Sequence, residues 1–182
     1  GAERIVCCGD LVDRGYSGDE VVEQFIEREI PCVLGNHDAD IINPPDYWTW
    51  RRKPYERVSE ASLTYLMGLP EELLLEIEDK TVMITHGAPG DDSYYLYPDN
   101  NALDFHYMLD EAWADILING HTHTPLSAEV VDTGWVFNPG SVLQQSQRDS
   151  GTCAILTLPG CDYSVYSISS RQPVEVPHRV IR

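Results

Sequence analysis

Positive charge is scarce in this 182-residue chain: 12 Lys and Arg stand against 30 Asp and Glu, a formal net charge of −18. A field of that sign repels nucleic-acid backbones and anionic membrane surfaces, so neither general nucleic-acid binding nor membrane binding is expected. No apolar run reaches the roughly 18 residues of a spanning helix, and no signal-peptide pattern is present, so neither a span nor a leader is expected. Cysteine is too sparse for a disulfide framework. There are five, two of them adjacent (Cys7 and Cys8), and no CxxC pair. They read as core thiols of a reducing, cytoplasmic compartment. Internal repeats, low-complexity tracts and interdomain linkers are also missing. With 42% hydrophobic residues, the chain can bury a core as one domain over 1–182.

The elements alternate α and β at first and turn mostly to strand later. Ile5–Cys8 and Cys32–Leu34 are short apolar runs expected as strands, and motif loops follow each directly. Between them, Ser17 and Glu20 have capping-box spacing. Val21, Val22, Phe25 and Ile26 then form one apolar face of a helix that stops near Pro31. A helix is expected over Ser59–Met67, then strands Leu73–Ile77 and Val82–Thr85 joined by a turn at Asp79–Lys80. A further helix, Ala102–Ala114, places Phe105, Leu109 and Ala112 or Trp113 on one face. Ile116–Ile118 is the next strand, and the remainder reads as strands at Val130–Val131, Trp135–Phe137, Cys153–Leu158, Tyr163–Ile168 and Val174–Val176.

Two irregular stretches stand out. Pro44–Pro54 contains Tyr47, Trp48, Trp50, Arg51, Arg52 and Lys53, with Arg57 just beyond. It reads either as a surface loop balancing the acidic body or as a flank that attracts an anionic substrate and stacks on a base. Asp92–Asn101 carries Tyr94, Tyr95 and Tyr97 without clear period, and reads as a cap over a site or as a helix-entry loop.

Of six histidines, four (His37, His86, His121 and His123) fall in glycine-containing loops after strands, in the company of Asp10 and Asn36. One such histidine would read as an ordinary hydrogen-bonded group, but four arriving with a carboxylate and an amide read as metal ligands. Mixed nitrogen and oxygen donors suit manganese, iron or zinc without choosing among them. No serine or cysteine triad offers a covalent alternative.

The segments GDLVDRG at 9–15, GNHD at 35–38, THG at 85–87, GHTH at 120–123 and NPGS at 138–141 together resemble the calcineurin-like metallophosphoesterase superfamily. NPGS after GHTH is similar to the small YfcE-like phosphodiesterase branch, while GDLVDRG is shared with protein phosphatases and dinucleoside-tetraphosphatase relatives. The resemblance implies an α/β fold, a four-layer αββα sandwich. It implies Asp10 as the carboxylate bridging two divalent metals, manganese foremost, with iron, zinc or nickel as alternatives. Asn36, His86 and His121 would complete one metal's protein ligands, and His123 would face the other. His37 would contact phosphate or protonate the leaving group, oriented by Asp13, with Arg14 on the phosphate. Asn138 and Ser141 would support the loops. The implied reaction is in-line attack of a metal-bound hydroxide on a phosphomonoester or phosphodiester, nucleotide-containing substrates included.

The family opens with an apolar strand ending in Asp-x-His, and no such strand stands before Asp10. The expectation is therefore a fold lacking its first strand and the helix after it. On this reading one metal keeps four protein ligands, while the other keeps only Asp10 and His123. The alternatives are an impaired enzyme, a single-metal or non-catalytic binding or scaffold protein, or a site completed by Asp38, Asp91, Asp92 or another chain. An uncovered sheet edge would also favour self-association.

Overall fold

A computed structural model describes residues 2–13, 17–45, 58–144 and 150–182. Among the described residues four helices, α1 (Gly18–Glu27), α2 (Asn36–Ile42), α3 (Glu60–Met67) and α4 (Ala102–Ala112), accompany nine strands. The strands are β1 (Glu72–Ile77), β2 (Lys80–Thr85), β3 (Ile116–Ile118), β4 (Leu126–Val130), β5 (Gly134–Asn138), β6 (Thr152–Thr157), β7 (Asp162–Ser167), β8 (Pro173–Val174) and β9 (His178–Ile181). A six-stranded sheet runs β1-β2-β3-β5-β4-β9, and a three-stranded sheet runs β6-β7-β8. Among the described residues no helix is long and apolar enough to cross a membrane.

The period-2 alternation of the central strands builds the layers. Met83, Leu117 and Val136 face Phe105, Met108, Leu109 and Ala112 of α4, which covers one side of the large sheet. Val82, Ile84, Ile116 and Phe137 point the other way, into a cluster with Leu156, Leu158, Cys161 and Tyr163 of the small sheet. The mixed α/β architecture therefore has two sheets packed together and a helix outside the larger one. A third cluster gathers Val22 of α1, Ile41 and Ile42 of α2, and Leu66 of α3 around Leu11 and Val12. This cluster seats the 9–13 loop on three short helices.

Within the large sheet, β2, β3 and β5 are parallel neighbours, with Ile84 opposite Ile118 and Ile118 opposite Phe137. Their carboxyl ends lie side by side, the edge at which open α/β sheets collect ligands. Loops carrying His86, His121 and Asn138 leave from that edge.

Several expected elements differ in the structure. Ile5–Cys8 and Cys32–Leu34 form only a single parallel rung, Cys7 with Cys32. Cys7 N–H donates to Pro31 O and Val33 N–H to Cys7 O, but Leu34 N–H turns to Pro70 O and the chain swings away at Gly9, φ +89°. The hairpin turn between β1 and β2 sits at Glu78 and Asp79, both left-handed, as a two-residue type I′ turn needs. That is one residue earlier than the expected Asp79–Lys80. Helix α4 ends at Ala112 because Trp113 adopts a left-handed cap conformation and stands in solvent, leaving Ala112 as the buried member of the pair. Ile26 of α1 is exposed rather than part of the buried face, and Ser17 makes no side-chain cap bond. Strand β9 has one buried side chain, Ile181, and had no sequence signal of its own. The basic-aromatic stretch from Tyr47 to Arg57 lies outside the described residues. All five cysteines are free thiols.

Candidate metal centre

The two N-terminal motif loops cross at backbone contact. A Cβ on Gly9 would come within 2.6 Å of Gly35 N, and one on Gly35 within 2.2 Å of Asp10 Oδ1. Only glycine at both positions permits that approach. The crossing is fastened by Asp38, whose fully buried carboxylate was among the candidate supplementary ligands. Its Oδ2 accepts the N–H groups of Asp10 (2.9 Å) and Gly35 (3.0 Å), and its Oδ1 those of Leu11 (2.8 Å) and Val12 (3.2 Å). With both oxygens spent on backbone, Asp38 has no role as a ligand. It acts instead as a clamp between segments 9–13 and 35–38. Burial, and then the charge of Asp10, push its pKa up to about 6 against the pull of those N–H bonds.

The clamp sets the direction of Asp10. Its Oδ1 accepts the N–H of His37 at 2.9 Å, and its Oδ2 faces His86 Nε2 at 3.4 Å. His86 follows β2 and is almost wholly buried. Its Nδ1 meets the carbonyl oxygen of Cys8, an acceptor, which orients Nε2 toward Asp10 and Asn36. Asn36 Oδ1 lies 3.0 Å from His86 Nε2 and 2.9 Å from His121 Nδ1, and the two imidazoles approach at 3.1 Å. Burial, followed by neighbouring His86, lowers the His121 pKa and favours its neutral ring, with Asp10 and Asp92 acting in the opposite sense.

Asp10, Asn36, His86 and His121 thus turn donor atoms toward one point from four separate segments. Asp10 Oδ2 and His121 Nε2 are buried without a hydrogen-bond partner. A cation among these oxygen and nitrogen atoms would take the place of the ring protons that can otherwise bridge them. His, Cys, Asp and Glu side chains alone form no metal-holding group of three or more among the described residues. The amide oxygen of Asn36 is the donor that links Asp10, His86 and His121. On donor chemistry the set fits a divalent cation bound by nitrogen and oxygen.

The other candidate residues are placed as follows. His37 opens α2, and its Nδ1 lies 2.8 Å from Asp13 Oδ2. His123 is half-buried two residues beyond His121, within electrostatic reach of it. Arg14 lies outside the described residues. Asp92 is in electrostatic reach of His121, while Asp91 accepts the N–H of Ser93. An Asp-x-His spacing does occur, at Asp104-Phe105-His106, but inside α4, where Asp104 Oδ2 accepts the amides of Asn100 and Asn101. It ends no strand.

Asp10, Asp13, His121 and His123 all have positive φ, between 57° and 76°. Non-glycine residues in that region cost about 1–3 kcal/mol each and cluster where a site needs them. Buried asparagines hold the GHTH loop. Asn138 Nδ2 donates to Gly120 O at 2.7 Å and its Oδ1 accepts from Gly140 N at 2.9 Å, while Asn119 Nδ2 reaches Gly87 O at 3.2 Å. Asn119 had no distinguishing sequence signal beyond preceding the motif. Replacing Asn138 by alanine should cost about 2–3 kcal/mol, because Gly120 O and Gly140 N lose their partner in the interior. Urea denaturation of the variant gives that number directly.

Residues 1–160 match the family model described as a calcineurin-like phosphoesterase superfamily domain. A protein named "Probable metallophosphoesterase" from Methanothermobacter thermautotrophicus is 36% identical over 76% of this chain and 60% of its own length. The chain spans less than two thirds of the length of the archaeal relatives it matches. In structure it is similar to a metallophosphoesterase from Sphaerobacter thermophilus, with TM-score 0.64, 21% identity, and coverage of 97% of this chain and 80% of that one. It is also similar to the phosphoesterase Yfce from E. coli, with TM-score 0.56, 21% identity, and coverage of 96% and 82%.

Proposed function

Because this chain belongs to the calcineurin-like phosphoesterase superfamily, whose metallophosphoesterase relatives imply divalent metal, we propose that it hydrolyses a small phosphomonoester or phosphodiester. The observation that carries this reading is the convergence of Asp10, Asn36, His86 and His121, with Asp10 Oδ2 left partnerless in the interior. These four would hold one cation. Asp10 would share its carboxylate with a second, toward which His123 would turn. When bound, such ions polarise phosphoryl oxygens and lower the pKa of water.

The chain's own residues supply the rest. Asp13, accepting from His37 Nδ1, would hold that imidazole in one orientation, leaving Nε2 to give a proton to the departing oxygen. Arg14 would contribute a guanidinium to the phosphate. The Asp10 Oδ1 bond to His37 N–H couples the proton donor to the metal-facing carboxylate, so both are set by one loop crossing. Among the described residues Asp10 and His123 are the donors proposed for the second ion, and the dependence of turnover on manganese concentration measures how well they hold it.

Purified chain supplied with manganese should hydrolyse bis(p-nitrophenyl) phosphate or p-nitrophenyl phosphate, and chelation with EDTA should abolish the turnover. Binding of manganese without turnover of either ester would favour the binding or scaffold reading. Failure to bind divalent metal at all would remove both.

A further inference from the structure

Beside the four-donor cluster the surface opens into a cavity of about 480 Å³ lined by Tyr95, Tyr97, Thr122 and Thr124. The two tyrosine rings lie parallel within 9°, centroids 6.0 Å apart. They are 54% and 39% exposed, a large aromatic surface to leave in water. Tyr95 is also packed on His121, ring centroids 4.1 Å apart, so the aromatic pair begins where the candidate ligands end. Thr122 and Thr124 flank His123 and complete the lining, with Thr122 Oγ1 accepting from Asn138 Nδ2 and the Thr124 hydroxyl donating to Thr122 O.

We infer that this cavity is a subsite for a planar aromatic group carried by the phosphate ester, a nucleobase or an aryl ring, seated against Tyr97 and Tyr95 while the phosphate lies at the metal-ligand cluster. The inference rests on the phosphoesterase reading above for the position of the phosphate. A flat ring gains from parallel aromatic faces whatever its substituents, and stacking of this kind amounts to about 5- to 150-fold in affinity per ring. The strongly acidic chain repels a polyanion, which favours a small ester over a nucleic-acid strand.

The test is direct binding, so that it does not depend on turnover. Manganese-loaded chain is titrated calorimetrically with two matched pairs, uridine 5′-monophosphate against ribose 5-phosphate and phenyl phosphate against cyclohexyl phosphate. The aromatic member of at least one pair should bind about tenfold tighter. Preference within the first pair alone identifies a nucleobase, and preference within both identifies a subsite that reads any flat ring. Tyr97→Ala should bring the favoured pair to parity, and Tyr97→Trp should keep or widen the gap. Equal affinities within both pairs in the unaltered chain, or a preference that survives Tyr97→Ala, would overturn the subsite. If all four ligands bind and none of the esters is hydrolysed, the hydrolase reading fails while the subsite is still decided by these ratios.

Discussion

Asp10→Asn is expected to lower kcat/KM toward an aryl phosphate ester by about 10³-fold, close to 4 kcal/mol of transition-state stabilisation. The substitution is nearly isosteric, so the size of the effect comes from charge and from the direction of two protons. The oxygen that accepts His37 N–H can be retained, which keeps α2 in place. The amide nitrogen then replaces Oδ2 opposite His86 Nε2 and the Asn36 oxygen. An NH₂ group there donates into lone pairs that would otherwise face a cation, and the anion that would bridge two ions is gone. Metal content should fall together with turnover, while the apo protein should keep its stability, since the substitution is nearly isosteric and the bond from His37 N–H is retained. Steady-state rates, metal analysis and urea denaturation of the same preparation check the three parts. Unchanged kcat/KM at saturating manganese would sink the assignment of Asp10.

Asp38→Ala is expected to destabilise the fold by about 3–5 kcal/mol, among the largest effects of any single side chain here. One carboxylate accepts four backbone N–H groups, from Asp10, Leu11, Val12 and Gly35. Each buried donor left without a partner costs about 1–3 kcal/mol. The net falls below the sum because the buried charge is itself costly, as its raised pKa indicates, and because water can enter the space left behind. Asp38→Asn keeps one oxygen but turns an NH₂ toward N–H groups, so it should recover less than half of the loss. Denaturant midpoints of the two variants measure this. A change under about 1 kcal/mol in Asp38→Ala would show that the loop crossing is held by the packing around Val12 and not by the carboxylate.

The contrast between Asp10 and Asp38 shows how far the chain could be read without coordinates. Both are acids beside glycines in motif loops, and by residue type either could be a ligand. Only the fold reveals that the bonds of Asp38 reach back 26–28 residues to backbone groups, a relation that local pattern does not carry. Its one local cue is its place three residues after Gly35, where an acid can reach back to the N-cap N–H. The family resemblance and mixed α/β class were legible because the motif loops follow apolar runs whose order survives in the sheet. The central strands β2, β3 and β5 were legible for the same reason. Length of pairing was not. Ile5–Cys8 has the apolar character of a buried strand, yet Gly9 turns it away after one rung. Nor was β9, since its inward positions are a charged Arg179 and Ile181 while Val180 is exposed, so burial alternates without an apolar–polar alternation to detect. Tyr95 was visible only as one tyrosine of a loop without period, and its packing on His121 depends on a turn that returns the loop to the sheet edge.

The connection from β2 to β3 begins at His86 and leads, by way of α4, to the strand that delivers His121, and Tyr95 and Tyr97 lie within it. Both ends are bolted to the sheet by parallel pairing, while the tyrosines occupy a stretch with no ladder to maintain. On the proposed reading two of the four candidate ligands bracket the segment that carries the aromatic pair, while Asp10 and Asn36 stand on other loops. Substitution of Tyr97 would on that reading retune which ester is held, whereas substitution of Tyr95 would also disturb His121, on which it packs. That division makes the segment the natural place to diversify when a different specificity is sought from the same scaffold.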